Sequence, residues 1–431
     1  MNKQEFKETE IGKIPKEWKV KKIGDLFKIK TGTTPSTKQK EYWNNGHINW
    51  ITPADMGKLN GRLLIENSER KITEKGLKET NLTLMPNGSI IISTRAPVGY
   101  VVIVKGKTTF NQGCKGLIPK SIKEINPIFY TYYLLSKKSF LEHSSSGSTF
   151  KELSKKTLED FIVPFPPLCE QKKIAEVLST VDQAIEEVNE TIAKTERLKK
   201  ELMQELLIKG IGHKNFKDTK IGRIPKEWEV VRLGDYIDMY SGYAFKRQDF
   251  LSDKSNGTPI IKIGNLQKGS IIIDEETDYV SKDFYEKLPD FQLHHGDVLI
   301  ALSGATTGKV SVVDKDLCLA LVNQRVGKFK ILSPEKVTQE FFYYLSQLDT
   351  FKKFVFRNIG QSAQGNLSPN QIKNSEILLP PLPEQKKIAE ILSKVDERMK
   401  LLKEKKEKLG RVKKGLMNDL LTGRKRVKLE A

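Results

Sequence analysis

The sequence predicts an α+β chain with an internal pseudo-two-fold repeat: two globular mixed α/β domains separated by two long helices that pair as a coiled coil. Three observations carry this. IGKIPKEWKVKKIGD at residues 11–25 returns as IGRIPKEWEVVRLGD at 221–235, an offset of 210 (11 to 221). PPLCEQKKIAEVLSTVD at 166–182 returns as PPLPEQKKIAEILSKVD at 380–396, an offset of 214 (166 to 380), so one unit of about half the chain is present twice with small insertions. After each second block an apolar seam begins whose steps alternate between four and three residues, the mark of a heptad helix.

The first seam reads Ile174, Leu178, Val181, Ile185, Val188, Ile192, Thr195, Lys199, Leu202, Leu206. The second keeps the same register as Ile388, Leu392, Val395, Met399, Leu402, Lys406, Leu409, Lys413, Leu416, Leu420. Helices of roughly 38 residues, about 57 Å at the α-helical rise, are too long to rest on one small core. Each therefore needs a partner, and the other copy is favoured by its high local concentration. Packing of each helix on its own domain, or dimerisation, is the alternative. Lys194, Arg197, Lys199, Lys200 and Lys209, matched by the lysine cluster from Lys403 to Lys414, read as a solvated charged face of a coiled coil.

The expected boundaries are a first domain over 1–163, a central helix over 164–212, a second domain over 213–378, and a C-terminal helix with a basic tail over 379–431. Within the domains, Ser89-Ile-Ile-Ile-Ser-Thr, Tyr100-Val-Val-Ile-Val, Asp297-Val-Leu-Ile-Ala-Leu and Lys309-Val-Ser-Val-Val are short apolar runs bounded by Gly, Asn and Pro, which predicts strands. Phe129-Tyr-Thr-Tyr-Tyr-Leu-Leu and Phe341-Phe-Tyr-Tyr-Leu predict buried helices, because both copies keep the aromatics at helical spacing.

Among 431 residues, 74 Lys and Arg face 54 acidic residues, a net charge of +20 and a pI near 9.5. Such a surplus draws a protein toward a polyanion, nucleic acid first, although a generally lysine-rich composition would give the same balance. Three widely spaced cysteines without a CxxC argue against a disulfide framework and a cysteine zinc site, and fit a reducing cytoplasm. No run approaches the 18 or so apolar residues needed to span a bilayer. The histidines are isolated or, at His294 and His295, adjacent in a turn before Gly296, so no metal ligand set is expected.

Taken together, the duplicated IPKEW block, the duplicated PPLxEQKKIAExL block opening a long helix, and the dissimilar inserts between them resemble the specificity subunit of Type I restriction-modification enzymes over essentially the whole chain. The resemblance implies that each insert is a target recognition domain reading one half of a bipartite, asymmetric double-stranded DNA sequence, and that the two long helices form an antiparallel coiled coil that sets the spacer. It also implies no chemistry in this chain. Two modification subunits would methylate adenine using S-adenosylmethionine, and restriction subunits would use ATP to translocate and cut DNA.

The residues themselves supply no catalytic alternative of comparable strength. Gly210 and Gly212 follow a helix, as a helix stop does, and not a strand as a cofactor loop requires. Phe165-Pro-Pro-Leu168 lacks the polar residue before and the aromatic residue after its prolines that a methyltransferase motif needs, and reads as a rigid helix entry. Ser303-Gly-Ala-Thr-Thr-Gly-Lys-Val310 is one residue short of a P-loop and ends in valine where a magnesium-binding hydroxyl belongs. Asp55 with Glu69-Arg-Lys71 loosely matches a nuclease pattern. A single-chain methyltransferase or nuclease is thus the rival function, a coiled-coil scaffold the third, and no cofactor is expected.

Base edges are read by Arg and Lys to guanine and by Asn and Gln to adenine, while hydroxyl and basic groups hold phosphates. Such residues in loops at matching places make the first insert's candidates Thr34, Ser36, Lys38 and Lys40; Arg95; Asn111 and Gln112; and Ser148, Thr149 and Lys151. The second offers Tyr243, Lys246 and Arg247; Asn265; Thr306, Thr307 and Lys309; Asn323, Gln324 and Arg325; and Gln364 and Asn366. The Asn-Gln dipeptide recurs in both inserts, which suits a structural or phosphate-binding role; base reading is expected from positions that differ.

Overall fold

The computed structural model describes residues 5–144, 152–267, 269–314, 317, 319–353 and 367–428. The chain forms two compact units, one of residues 1–190 with 404–431, the other of residues 191–403.

In the first unit, Lys19–Lys22 pairs antiparallel with Ile162–Phe165, so the strand after the IPKEW block closes against the segment that feeds the long helix. Between them a five-stranded sheet runs in the order Phe27–Thr31, Cys114–Pro119, Ile90–Ser93, Val101–Val104, Leu64–Ile65. The runs Ile90–Ser93 and Val101–Val104 are buried throughout, as expected of continuous β-branched segments. A second sheet of three strands places Ile48–Ile51 between Thr108–Phe110 and Lys71–Ile72. The aromatic helix Pro127–Ser136 starts where the Asn126 side chain accepts from the Phe129 amide at 3.1 Å, and it buries Phe129, Tyr130, Tyr132, Tyr133 and Leu134.

The second unit repeats this plan. Glu229–Arg232 pairs with Glu376–Leu379. A four-stranded sheet runs Ile237–Ser241, Val326–Ile331, Val298–Ala301, Val310–Val312, and a three-stranded sheet runs Asp278–Val280, Thr258–Ile261, Leu321–Val322. Thr338 caps the aromatic helix Gln339–Leu345 by accepting from the Phe341 amide at 3.2 Å.

The long helices are Leu168–Lys209 and Leu382–Leu420, 42 and 39 residues. Each begins in one unit and ends in the other. In the first unit Glu170 meets Arg426 just beyond the second helix, and Asp182 meets Lys413, so rising numbers on one segment face falling numbers on the other and the pair is antiparallel. In the second unit Lys199 meets Asp396 and Ile211 meets Glu384, with the same consequence. Pairing and packing on the domain are not alternatives here. Ile174, Leu178 and Leu420 share one core with Trp18, Tyr130 and Tyr132 in the first unit, and Leu206, Ile388 and Leu392 share one with Trp228, Phe342 and Tyr344 in the second.

The repeated sequence blocks are explained by contacts between them. The Trp18 indole donates to Glu170 at 2.8 Å, and Trp228 donates to Glu384 at 2.9 Å. The next residue, Gln171, accepts from the Asn126 amide (2.9 Å) and donates to the carbonyls of Glu124 (3.0 Å) and Pro166 (2.8 Å). Gln385 does the same with Thr338 (3.0 Å), Lys336 (2.7 Å) and Pro380 (2.8 Å). Both glutamines are fully buried, and every polar atom of their amides that must be paired is paired.

A second duplicated device lies farther along each helix. Tyr132 donates to Asp182 at 2.7 Å and Tyr344 donates to Asp396 at 2.9 Å. Lys413 and Lys199 close these triads at 2.5 Å from the same carboxylates while lying 5.5 and 5.7 Å from the tyrosine ring centroids. Burial, with a neighbouring carboxylate adding to it, pushes both phenols above their ordinary range. Lys199, expected on the solvated face, thus turns inward, because a seam position facing a carboxylate can neutralise it where water is sparse.

Candidate nucleic-acid interface

Three loops meet at one place in the first unit. A side chain at Gly32 would collide with the backbone of Asn111, and the Thr33 amide donates to the Phe110 carbonyl at 3.3 Å, so the 31–40 loop docks on the Asn-Gln turn. The third loop joins Ile90–Ser93 to Val101–Val104, and its Arg95 amide donates to the Gly113 carbonyl at 3.2 Å. Arg95, Asn111, Gln112 and Tyr100 line a groove of about 450 Å3 there.

Around it the expected residues fall into groups. Thr34, Ser36, Lys38, Lys40 and Gln112 are exposed, and Lys38 and Lys40 have no carboxylate partner among the described residues. Arg95 is exposed but engaged, its Nε 3.0 Å from Glu152. The Asn111 carbonyl oxygen accepts from the Gly113 amide at 3.1 Å, which makes it the organiser of the turn. Ser148, Thr149 and Lys151 lie outside the described residues.

Equivalent loops meet in the second unit. A side chain at Gly242 would strike the carbonyls of Val322 and Asn323, the Gln324 amide donates to the Tyr243 carbonyl at 2.9 Å, and the Leu302 amide donates to that of Arg325 at 2.9 Å. Lys246, Arg247, Gln324 and Arg325 are exposed, and Lys309 is half-buried. Asn323 holds the Arg325 amide at 3.3 Å, as Asn111 holds Gly113, so the shared dipeptide builds the same turn twice while the residue after it changes from Gly113 to Arg325.

Four second-unit candidates already have their side chains engaged or enclosed within the protein. Asn265 is 7% exposed and its amide is spent on the Lys262 amide (2.9 Å), the Ile272 carbonyl (3.0 Å) and the Thr277 hydroxyl (2.9 Å), so it shapes a turn and offers nothing to a ligand. The half-buried Tyr243 ring packs edge-on against Phe245 and Phe291, on the side of an apolar cluster. The Thr306 hydroxyl is enclosed, and that of Thr307 donates to the Gly304 carbonyl at 2.6 Å within its own turn. Gln364 and Asn366 lie outside the described residues.

The nuclease-like pattern also dissolves. Asp55 is 7% exposed and accepts from the Thr52 amide (2.9 Å), the Thr52 hydroxyl (2.6 Å) and the Glu69 amide (2.9 Å), a helix-capping role, while Glu69 pairs with Lys58. His294 and His295 sit in the expected turn, where the Asp297 amide donates to the His294 carbonyl at 3.0 Å. Among the described residues no cluster of His, Cys, Asp and Glu is arranged to hold a metal ion, and no helix is long and apolar enough to cross a membrane.

One feature escaped the sequence reading. Arg70 stacks on Trp43, its guanidinium carbon 3.6 Å from the ring centroid, beside the loop that carries Thr34 and Ser36. Arg70, Trp43 and Trp50 lie apart in the sequence, and no local motif marks their association.

Comparison with known proteins agrees with this architecture. The Type I restriction modification DNA specificity domain family matches residues 15–197 and again residues 225–411. The Type I restriction enzyme MjaIX specificity subunit of Methanocaldococcus jannaschii is 33% identical to this chain over 437 residues, covering 98% of this chain and 97% of that protein. Two solved structures share the fold at 16% identity. A Type I restriction-modification S subunit from M. genitalium gives a TM-score of 0.59 over 94% of this chain and 96% of its own. A chain from a study of complex assembly and conformational transition of the type I R-M system gives 0.52 over 95% and 99%.

Proposed function

This chain belongs to the family of Type I restriction-modification DNA specificity subunits, and on that premise we propose that its two inserts, taken as residues 1–163 and 213–378, each read one half of a bipartite, asymmetric DNA target. The observation that carries the reading is the loop cluster built on equivalent backbone contacts in both units yet presenting different exposed side chains: Lys38 and Lys40 in one, Lys246, Arg247 and Arg325 in the other. A shared scaffold with divergent donors is what two readers of different sequences require, since phosphate contacts position a protein and base contacts specify. The net charge of +20 supports the same partner.

The chain performs no chemistry in this reading. It works in the cytoplasm by recruiting two modification subunits and the restriction subunits, and the length of the paired helices sets the number of unread base pairs. Support comes from the family and from the engagement of Asp55 as a cap.

Exchange of residues 213–378 for the second insert of a relative tests the reading, with methylated sites mapped across the host genome. One half of the recognised sequence changes while the other half and the spacer persist. Altered bases in both halves would refute modular reading. The purified chain incubated with labelled S-adenosylmethionine, or with magnesium and plasmid, transfers no methyl group and makes no cut; turnover that survives purification would end the non-catalytic assignment.

A further inference from the structure

We propose that Arg70 is a base-reading residue of the first unit, presenting its guanidinium fork to a guanine of the half-site. The proposal rests on the DNA-reading role above and adds a residue and a base to it.

The side chain is exposed, and its guanidinium carbon lies 3.6 Å from the Trp43 ring centroid and 5.2 Å from that of Trp50. The two indoles meet edge to face at 5.0 Å, and Trp50 is 4% exposed, so the platform is rigid. Both ring N–H groups are tied to the docked loop, Trp43 donating to the Ser36 carbonyl at 3.1 Å and Trp50 to the Thr33 carbonyl at 3.0 Å. Arg70 is thereby held beside Thr34 and Ser36, and its main-chain carbonyl is fixed by the Trp50 amide at 3.2 Å.

Stacking occupies the face of a guanidinium and leaves its five edge N–H donors directed outward. Among the described residues no carboxylate pairs with Arg70, and the adjacent Glu69 is engaged by Lys58. A planar donor fork fixed in orientation before binding loses little side-chain freedom on docking. The acceptor pair that matches it in duplex DNA is guanine O6 and N7 in the major groove.

The second unit bears on the choice between a scaffold element and a reader. Ile48 pairs with Ile72, and Thr258 pairs with Val280, so Arg70 and Asp278 occupy equivalent positions two residues earlier. Asp278 forms an ion pair with Lys262, whose ammonium lies 4.3 Å from the Phe250 ring centroid. The cation on an aromatic ring recurs, but there it is neutralised internally. A structural pin common to both copies would keep its charge; a position reversed in sign behaves as one that distinguishes two targets.

Full-length wild type, Arg70→Lys and Arg70→Ala are compared by methylation mapping in the host and by binding of the purified chain to the mapped duplex and to a random duplex. Arg70→Lys keeps the charge and the stack but loses the fork, and its thermal midpoint matches wild type. The expected result is affinity for the mapped duplex lower by about 5- to 150-fold in both variants, with random-duplex binding of Arg70→Lys unchanged and a single G·C position in one half-site becoming degenerate. An unchanged site set in Arg70→Lys, or equal losses on both duplexes in Arg70→Ala, would overturn the proposal and assign Arg70 to a phosphate or to the fold. A wild-type chain that does not prefer its mapped duplex overturns the DNA-reading role itself, which separates the two failures.

Discussion

The two units differ least where they grip the long helices and most where their loops meet. At the grip, Trp18, Glu170, Gln171, Tyr132, Asp182 and Lys413 are matched one for one by Trp228, Glu384, Gln385, Tyr344, Asp396 and Lys199, with hydrogen-bond lengths that agree within a few tenths of an ångström. Even the partner that completes each corner has a counterpart. Arg426 bridges Glu170 and Glu17, and His213 lies between Glu384 (2.8 Å) and Glu227 (3.0 Å). At the loops the same backbone contacts carry Gly113 in one copy and Arg325 in the other, and Arg70 in one where Asp278 stands in the other. Buried polar groups must all be satisfied at once, so the grip tolerates little change, whereas an exposed loop side chain can be exchanged at small cost to stability.

The comparison is broken most severely by removing the grip. Trp18→Ala and Trp228→Ala each delete a fully buried indole that also satisfies a glutamate, and each should destabilise its unit by about 3 to 5 kcal/mol, read by denaturant unfolding. Equal losses would confirm that the corners are equivalent; a loss under about 1 kcal/mol at either would show that its corner is dispensable.

A smaller effect is expected at a loop. Arg247→Ala should cost roughly 1 to 3 kcal/mol of binding on the mapped duplex and little on a random one, with the unfolding midpoint unchanged. Identical losses on both duplexes would remove Arg247 from base reading.

The Tyr-Asp-Lys triads sharpen the symmetry further. Lys199→Met and Lys413→Met keep the aliphatic packing but leave Asp396 or Asp182 without its cation, and each should cost about 1 to 2 kcal/mol. Matching values, measured by thermal unfolding, would show that the second unit reproduces the first energetically as well as geometrically. Smallest of all, Lys38→Ala should weaken binding to every sequence alike and lower the slope of log affinity against log salt by about one. A sequence-dependent loss there would move Lys38 from phosphate to base contact.

The helices were legible because heptad spacing repeats over many residues and two copies shared one register. The strands Ile90–Ser93 and Val298–Ala301 were legible because short apolar runs bounded by turn residues have few other fates. The candidate interface was legible only in outline. Lys38, Lys40, Arg247 and Arg325 emerged on the surface as expected, but Asn265 resembled them in sequence and proved to be consumed by its own turn. Residue type states which hydrogen bonds a side chain can make, and only its neighbours state which it has already made.

By itself, then, the chain's sequence determined the duplication, the length and pairing faces of the helices, and the positions of loops rich in donors, since these depend on local periodicity and composition. Tertiary structure alone decided that Trp18 and Glu170, 152 positions apart, share a hydrogen bond, that seam lysines Lys199 and Lys413 turn inward, and that Arg70 rests on Trp43. Those outcomes hang on distances between segments remote along the chain, set by how whole layers pack, and no local window of sequence contains that information.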